Sequence, residues 1–169
     1  MTITEVNNKI AEEKFIALPR ILYKNDPNFI CPLDNDVKDI FDPKRNNFHS
    51  HGICKRWIVE DSNSKFIGRI AAFINYTKNK NPEFIIGGIG FFECINDEKV
   101  AFLLFDTAKH WLKQQNAKAM DGPINFGEND KYWGLLVEGF IPPSMGMNYN
   151  PPYYQHFFEG YGFVKQYDQ

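Results

Sequence analysis

The run Phe84–Ile95 constrains the fold of this chain more than any other stretch. It is almost continuously apolar and contains Gly87, Gly88 and Gly90. Such a run suits a central strand covered on both faces. Its glycines predict a bulge or the close approach of another backbone. A helix is predicted over 97–115, with Asn96 as cap and with Asp97 and Glu98 at its positive end. Val100, Leu104, Ala108, Trp111 and Leu112 form its buried stripe. A doubly covered strand feeding an amphipathic helix commits the chain to layers of both helix and sheet.

The remaining segments fit that frame. Residues 3–6 predict a first strand, and 7–24 predict a helix with Ala11, Phe15, Leu18 and Leu22 on one face. Pro19 is expected to kink this helix or to start a second piece. A short helix fits Asp34–Phe41, and the polar stretch Lys44–His51 reads as a loop. Strands are expected at Cys54–Glu60, Phe66–Tyr76 and Ala117–Ile124, separated by the turns Asp61–Ser64 and Asn79–Pro82. The fold class that follows is mixed α/β: a largely antiparallel sheet with helices on both faces.

Composition narrows the function classes. The chain has 169 residues and a formal net charge of -2, with a sequence pI near 6.1. A basic nucleic-acid surface is therefore not indicated. There is no apolar run long enough to cross a membrane and no leader-like start, so a cytoplasmic location is the expectation. The three cysteines, Cys31, Cys54 and Cys94, have no metal-ligand spacing. His49 and His51 share a polar loop without an obvious third ligand, and no metal is expected. No phosphate loop and no nucleophile elbow occur.

The C-terminal stretch is the most specific. In Asn150-Pro-Pro-Tyr-Tyr-Gln-His-Phe-Phe-Glu-Gly-Tyr-Gly-Phe163, Asn150 suits an N-cap and Pro151 suits the first helical position. Gly160 or Gly162 can end the helix, and Phe163 opens a strand-like run. This stretch resembles the last helix and following strand of the GNAT N-acyltransferase superfamily. "GFFEC", "GPINF", "LLVEGF" and "YNPPYY" resemble a bacterial subgroup of GNAT-like proteins. The resemblance implies one GNAT-like domain over 1–169, its last strand missing at Gln169. Either the chain is then a fragment or a partner, such as a second copy in a homodimer, completes the sheet.

The resemblance also implies a function: transfer of an acetyl or other acyl group from acyl-CoA to the amine of a small molecule or peptide. The alternative is a GNAT-shaped binding or regulatory domain without catalysis. Glu93, a carboxylate inside an apolar run, is the candidate base, because burial raises its proton affinity. The other reading pairs it with Arg69 or another cation. If Glu93 is the base, exchange for Gln should cost rate and little stability. Phe158 stands where the family carries a tyrosine acid, and Tyr154, one turn earlier on the same face, is the displaced candidate. Acyl-CoA contacts are assigned to Phe92, Cys94, Ile95, Asn125 and Phe158. Asn129 and Asp130 are further polar candidates, and Trp133, Tyr149 and Tyr153 candidate walls. The link Cys94–Val100 lacks the family's glycine-rich pyrophosphate loop and carries Asp97 and Glu98 instead.

Overall fold

The computed structural model describes residues 1–126 and 131–166. Along the chain run β1 (Thr2–Glu5), α1 (Lys9–Leu22), α2 (Asp34–Phe41), a 3-10 turn (Asn47–Ser50), β2 (Gly52–Glu60), β3 (Phe66–Asn75), β4 (Ile85–Cys94), α3 (Glu98–Gln114), β5 (Ala117–Asp121) and α4 (Tyr153–Tyr161). The sheet order follows the sequence, β1-β2-β3-β4-β5. The first three pairings are antiparallel and β4–β5 is parallel. The parallel step follows from α3, which returns the chain to the start of β4. No helix among the described residues is long and apolar enough to cross a membrane.

Period-two alternation splits the sheet between two cores. Trp57, Val59, Ile70, Ala72 and Ile74 face α3 and α4 with Leu104, Phe105 and Phe158. Ile58 and Ala71 face α1 and α2 with Phe15 and Phe41. The glycines of β4 serve close approach. A side chain at Gly87 would strike Leu112 of α3, and one at Gly90 would collide with the Ile124 carbonyl oxygen. Gly90 thus lets the segment after β5 cross β4, and Ile124 N–H donates to the Ile89 carbonyl.

Several local expectations change. Helix α1 runs unbroken through Pro19. Asp97, not Asn96, caps α3, its side chain accepting from Lys99 N–H. Helix α4 starts at Tyr153, so Asn150 does not cap it. The buried Asn150 amide instead exchanges two hydrogen bonds with the Leu136 backbone, at 2.8 and 3.0 Å. Gly162, at φ 103°, ends α4. Phe163 N–H then reaches the Phe158 carbonyl, and the two rings pack at 5.0 Å. That paired bond and contact stop a helix and fold the chain back. Residues 163–166 accordingly form no strand, because Phe163 is drawn onto Phe105 and Phe158. The expected loop Lys44–His51 contains the 3-10 turn, with His49 against the Phe126 ring.

Candidate active site

The direction of Glu93 is set by a one-residue irregularity. Arg69 faces Glu93 and Ala71 faces Gly90, so Ile70 alone opposes Phe91 and Phe92. Phe91 adopts a left-handed φ of 51°, the conformation that glycine usually takes as the first residue of a G1 bulge. The bulge resets the alternation. Ile89, Phe92 and Cys94 enter the core beneath α3, while Phe91 packs on Phe41 and Glu93 meets Arg69 on the α1 face. A regular strand would turn Glu93 towards α3.

Glu93 is buried, and its two oxygens differ. Oε2 accepts from the Tyr23 hydroxyl at 2.7 Å and the Tyr154 hydroxyl at 2.9 Å. Oε1 lies 3.6 Å from an Arg69 guanidinium nitrogen, within Coulomb range and beyond hydrogen-bond length. Among the described residues, Oε1 accepts no hydrogen bond of normal length, and its long contact with Arg69 still favours the charged carboxylate. Burial pushes the Glu93 carboxyl above its ordinary range, against the pull of Arg69 and of the two phenols. The Tyr154 oxygen also accepts from Cys94 N–H at 2.7 Å, and Tyr153 donates to the Cys94 carbonyl at 2.9 Å.

Burial first, and then the Glu93 charge, push the Tyr23 and Tyr154 hydroxyls well above the usual phenol value. A raised folded value means stability that is full below pH 10 and lost as pH climbs through the folded values. Unfolding midpoints should therefore fall above pH 10, by about 1.4 kcal/mol per pH unit for each phenol. Tyr23→Phe and Tyr154→Phe should each flatten that fall. Urea titrations from pH 8 to pH 11.5 check it, and an unchanged slope in both variants would contradict it.

Arg69 is held by α1. Its Nη1 donates to the Phe15 carbonyl at 2.6 Å, and its guanidinium lies 4.7 Å from the Phe15 ring centre. An α-helical carbonyl takes its hydrogen bond from the residue four positions on. For Phe15 that residue is Pro19, which has no N–H.

Glu93, Arg69 and Tyr154 open onto a cavity of about 50 Å³. Its other walls are largely apolar and include Phe29, Ile30, Leu135, Met147 and Tyr149. Ile30 and Met147 continue to the surface, 57% and 55% exposed. Tyr149 hydrogen-bonds Asp26 at 2.8 Å, tying the segment before α4 to the loop after α1. The arrangement offers one unfilled carboxylate oxygen and a phenol to a polar group, with apolar contact for whatever carries that group.

Solved structures share this architecture. A Clostridium acetobutylicum protein described as a predicted acetyltransferase, solved with acetyl-CoA, superposes with a TM-score of 0.55 at 15% identity, covering 98% of this chain and 90% of that one. Glucosamine-6-phosphate N-acetyltransferase from Arabidopsis thaliana superposes with a TM-score of 0.53 at 11% identity, covering 100% and 96%. This is the GNAT fold. Two curated relatives match by sequence. Protein YghO of Escherichia coli (strain K12) is 34% identical over 162 residues, 95% of this chain and 41% of the relative. The bacterial ceramide synthase of Caulobacter vibrioides (strain NA1000 / CB15N) is 31% identical over 170 residues, 99% of this chain and 44% of the relative. The chain thus spans less than half the length of either relative. No family model matches the sequence.

Within the GNAT fold, the residues named from the sequence separate into two groups. Glu93 and Tyr154 are brought together, and Tyr23 joins them without a local sequence signal. Arg69 had one: an arginine in an apolar strand is as anomalous as the glutamate it faces. The assigned acyl-CoA contacts sit deeper. The Phe92 ring packs against Phe105, Tyr154 and Phe158. Both polar backbone groups of Cys94 are bonded to tyrosine hydroxyls, and Ile95 N–H donates to the Ile67 carbonyl. Asn125 is buried, and among the described residues its side-chain oxygen has no hydrogen-bond partner. Asn129 and Asp130 lie outside the described residues.

The start of α3 does not fit a pyrophosphate. Lys99 N–H is taken by the Asp97 side chain, and Val100 and Ala101 N–H by the Asp97 carbonyl. Glu98 adds a second carboxylate there. Coenzyme A should therefore bind weakly at this terminus, with a Kd above ~100 μM. Asp97→Asn with Glu98→Gln keeps a capping side chain and should tighten binding by about 3- to 10-fold at low salt. Calorimetric titration of both proteins checks this. Tight binding by the parent would show that the pyrophosphate has another cradle.

Among the described residues, no group of three or more His, Cys, Asp or Glu side chains is placed to hold a metal.

Proposed function

We propose that this chain catalyses N-acyl transfer from an acyl thioester to the amine of a long-chain molecule. The observation that carries the reading is Glu93: a buried carboxylate with one oxygen saturated by two phenols and the other open to an apolar cavity. An ammonium entering the cavity gives its proton to Oε1 and becomes a nucleophile. The amine attacks the thioester carbon, the C–N bond forms and the C–S bond breaks. Tyr154 gives its proton to the leaving thiolate and recovers one from the protonated Glu93, and the second N–H proton of the attacking amine then passes to the freed carboxylate and out to water.

The acceptor class has two supports. A ceramide, the product named for the relative at 31% identity, is a long-chain amine carrying an N-acyl group. The cavity beside Glu93 has room for an amino head, and the exposed Ile30 and Met147 give a tail an apolar path outward.

The second reading is a GNAT-shaped binding domain without catalysis. The occupied Cys94 backbone groups and the acidic start of α3 favour it. One experiment separates the two: thiol release from acetyl-CoA and palmitoyl-CoA in the presence of sphinganine or ethylamine, with products weighed by mass spectrometry. The acyltransferase reading expects amide formation, faster with sphinganine. An absence of amide with every pair, alongside calorimetric binding of the amine, would give the domain to the second reading.

A further inference from the structure

Pro19 occupies the body of a helix, where it removes a backbone hydrogen bond. Helix α1 nevertheless runs from Lys9 to Leu22, and the orphaned Phe15 carbonyl is the one that Arg69 Nη1 reaches at 2.6 Å. That bond and the stack on the Phe15 ring commit the guanidinium to α1. One guanidinium nitrogen is left towards Glu93, at 3.6 Å rather than in a two-pronged pair. An Arg–carboxylate pair free to close would take the forked, doubly bonded form and fill Oε1.

We propose that Pro19 is a positioning residue: by leaving the Phe15 carbonyl without its helical donor, it draws Arg69 onto α1 and keeps Glu93 Oε1 open to substrate. The assignment rests on Glu93 acting as the base. The charged and titratable groups around that carboxylate are Tyr23 at the C-cap of α1, Arg69 from β3, Tyr153 and Tyr154 from α4, and Cys31 and Cys94 nearby. A change at residue 19 removes none of these groups and acts on Glu93 through Arg69, although the Pro19 ring also lines the cavity. Pro19→Ala returns an N–H to the helix, releases Arg69 Nη1 and lets the forked pair form.

The test reads the Glu93 carboxyl directly, by carbon NMR of protein labelled at the glutamate side-chain carboxyls. Glu93→Gln identifies the resonance. In Pro19→Ala the titration midpoint should fall by about one pH unit, and amide formation should slow by about tenfold with the acceptor KM little changed. Pro19→Ser, which also supplies an N–H, should do the same. If both variants only raise the unfolding midpoint and leave the titration in place, Pro19 has no positioning role. A shifted titration in a protein that forms no amide upholds the positioning and ends the acyl-transfer reading. Full amide formation by the parent with an unmoved titration in both variants does the reverse.

Discussion

Arg69→Met is expected to lower the unfolding free energy by about 3–5 kcal/mol, the usual result of removing one partner of a buried ion pair. Two groups are abandoned at once. Glu93 stays buried without its counter-charge, and the Phe15 carbonyl loses the donor that stands in for Pro19. The effect should be far from additive. Arg69→Met with Glu93→Gln removes both charges and should recover a large part of the loss, since a neutral pair no longer carries the desolvation cost. Urea unfolding at pH 7 with an unchanged m-value is the measurement. A double variant no more stable than Arg69→Met would mean that the charges were not paired.

Glu93→Gln should lower amide formation by roughly 100-fold or more, the usual worth of a general base. The sequence alone suggested that this exchange would leave stability intact. The structure revises that. Gln can still accept from Tyr23 and Tyr154, yet Arg69 is left as a buried cation with no counter-ion, which is itself destabilising. Rates therefore have to be taken at a temperature where circular dichroism shows both proteins folded. Full activity in a folded Glu93→Gln protein would remove the carboxylate from the chemistry.

What the sequence revealed depended on whether its signal was local. Asp34–Phe41 and the body of α3 were legible because apolar spacing and charged ends lie within the segment. Phe84–Ile95 was legible as a central strand because burial on both faces leaves no polar alternation. Pro19 misled because its helical cost is met by Arg69, a residue 50 positions away. Asn150 misled because a good capping side chain is equally good at bridging to a distant backbone, here Leu136. At the site, Glu93 stood out by its chemistry in an apolar run. Tyr23 could not, because a tyrosine at a helix end is ordinary until the fold sets its hydroxyl on a carboxylate. The left-handed Phe91 was foreshadowed only by the neighbouring glycines, which advertise irregularity and not its place.

Helix α4 closes the sheet in an unusual way. The parallel pairing of β4 with β5 stops at Gly88 and Asp121, and at Cys94 the backbone groups are met by tyrosine hydroxyls instead of a strand. An open strand edge is a template on which other chains stack, and proteins that leave one bare risk aggregation. Two phenols do here what an extra strand does elsewhere, without offering a new edge of their own. Tyr153 and Tyr154 therefore bear on colloidal behaviour as well as on chemistry. A protein carrying phenylalanine at both positions should stay folded in dilute solution and lose solubility as it is concentrated.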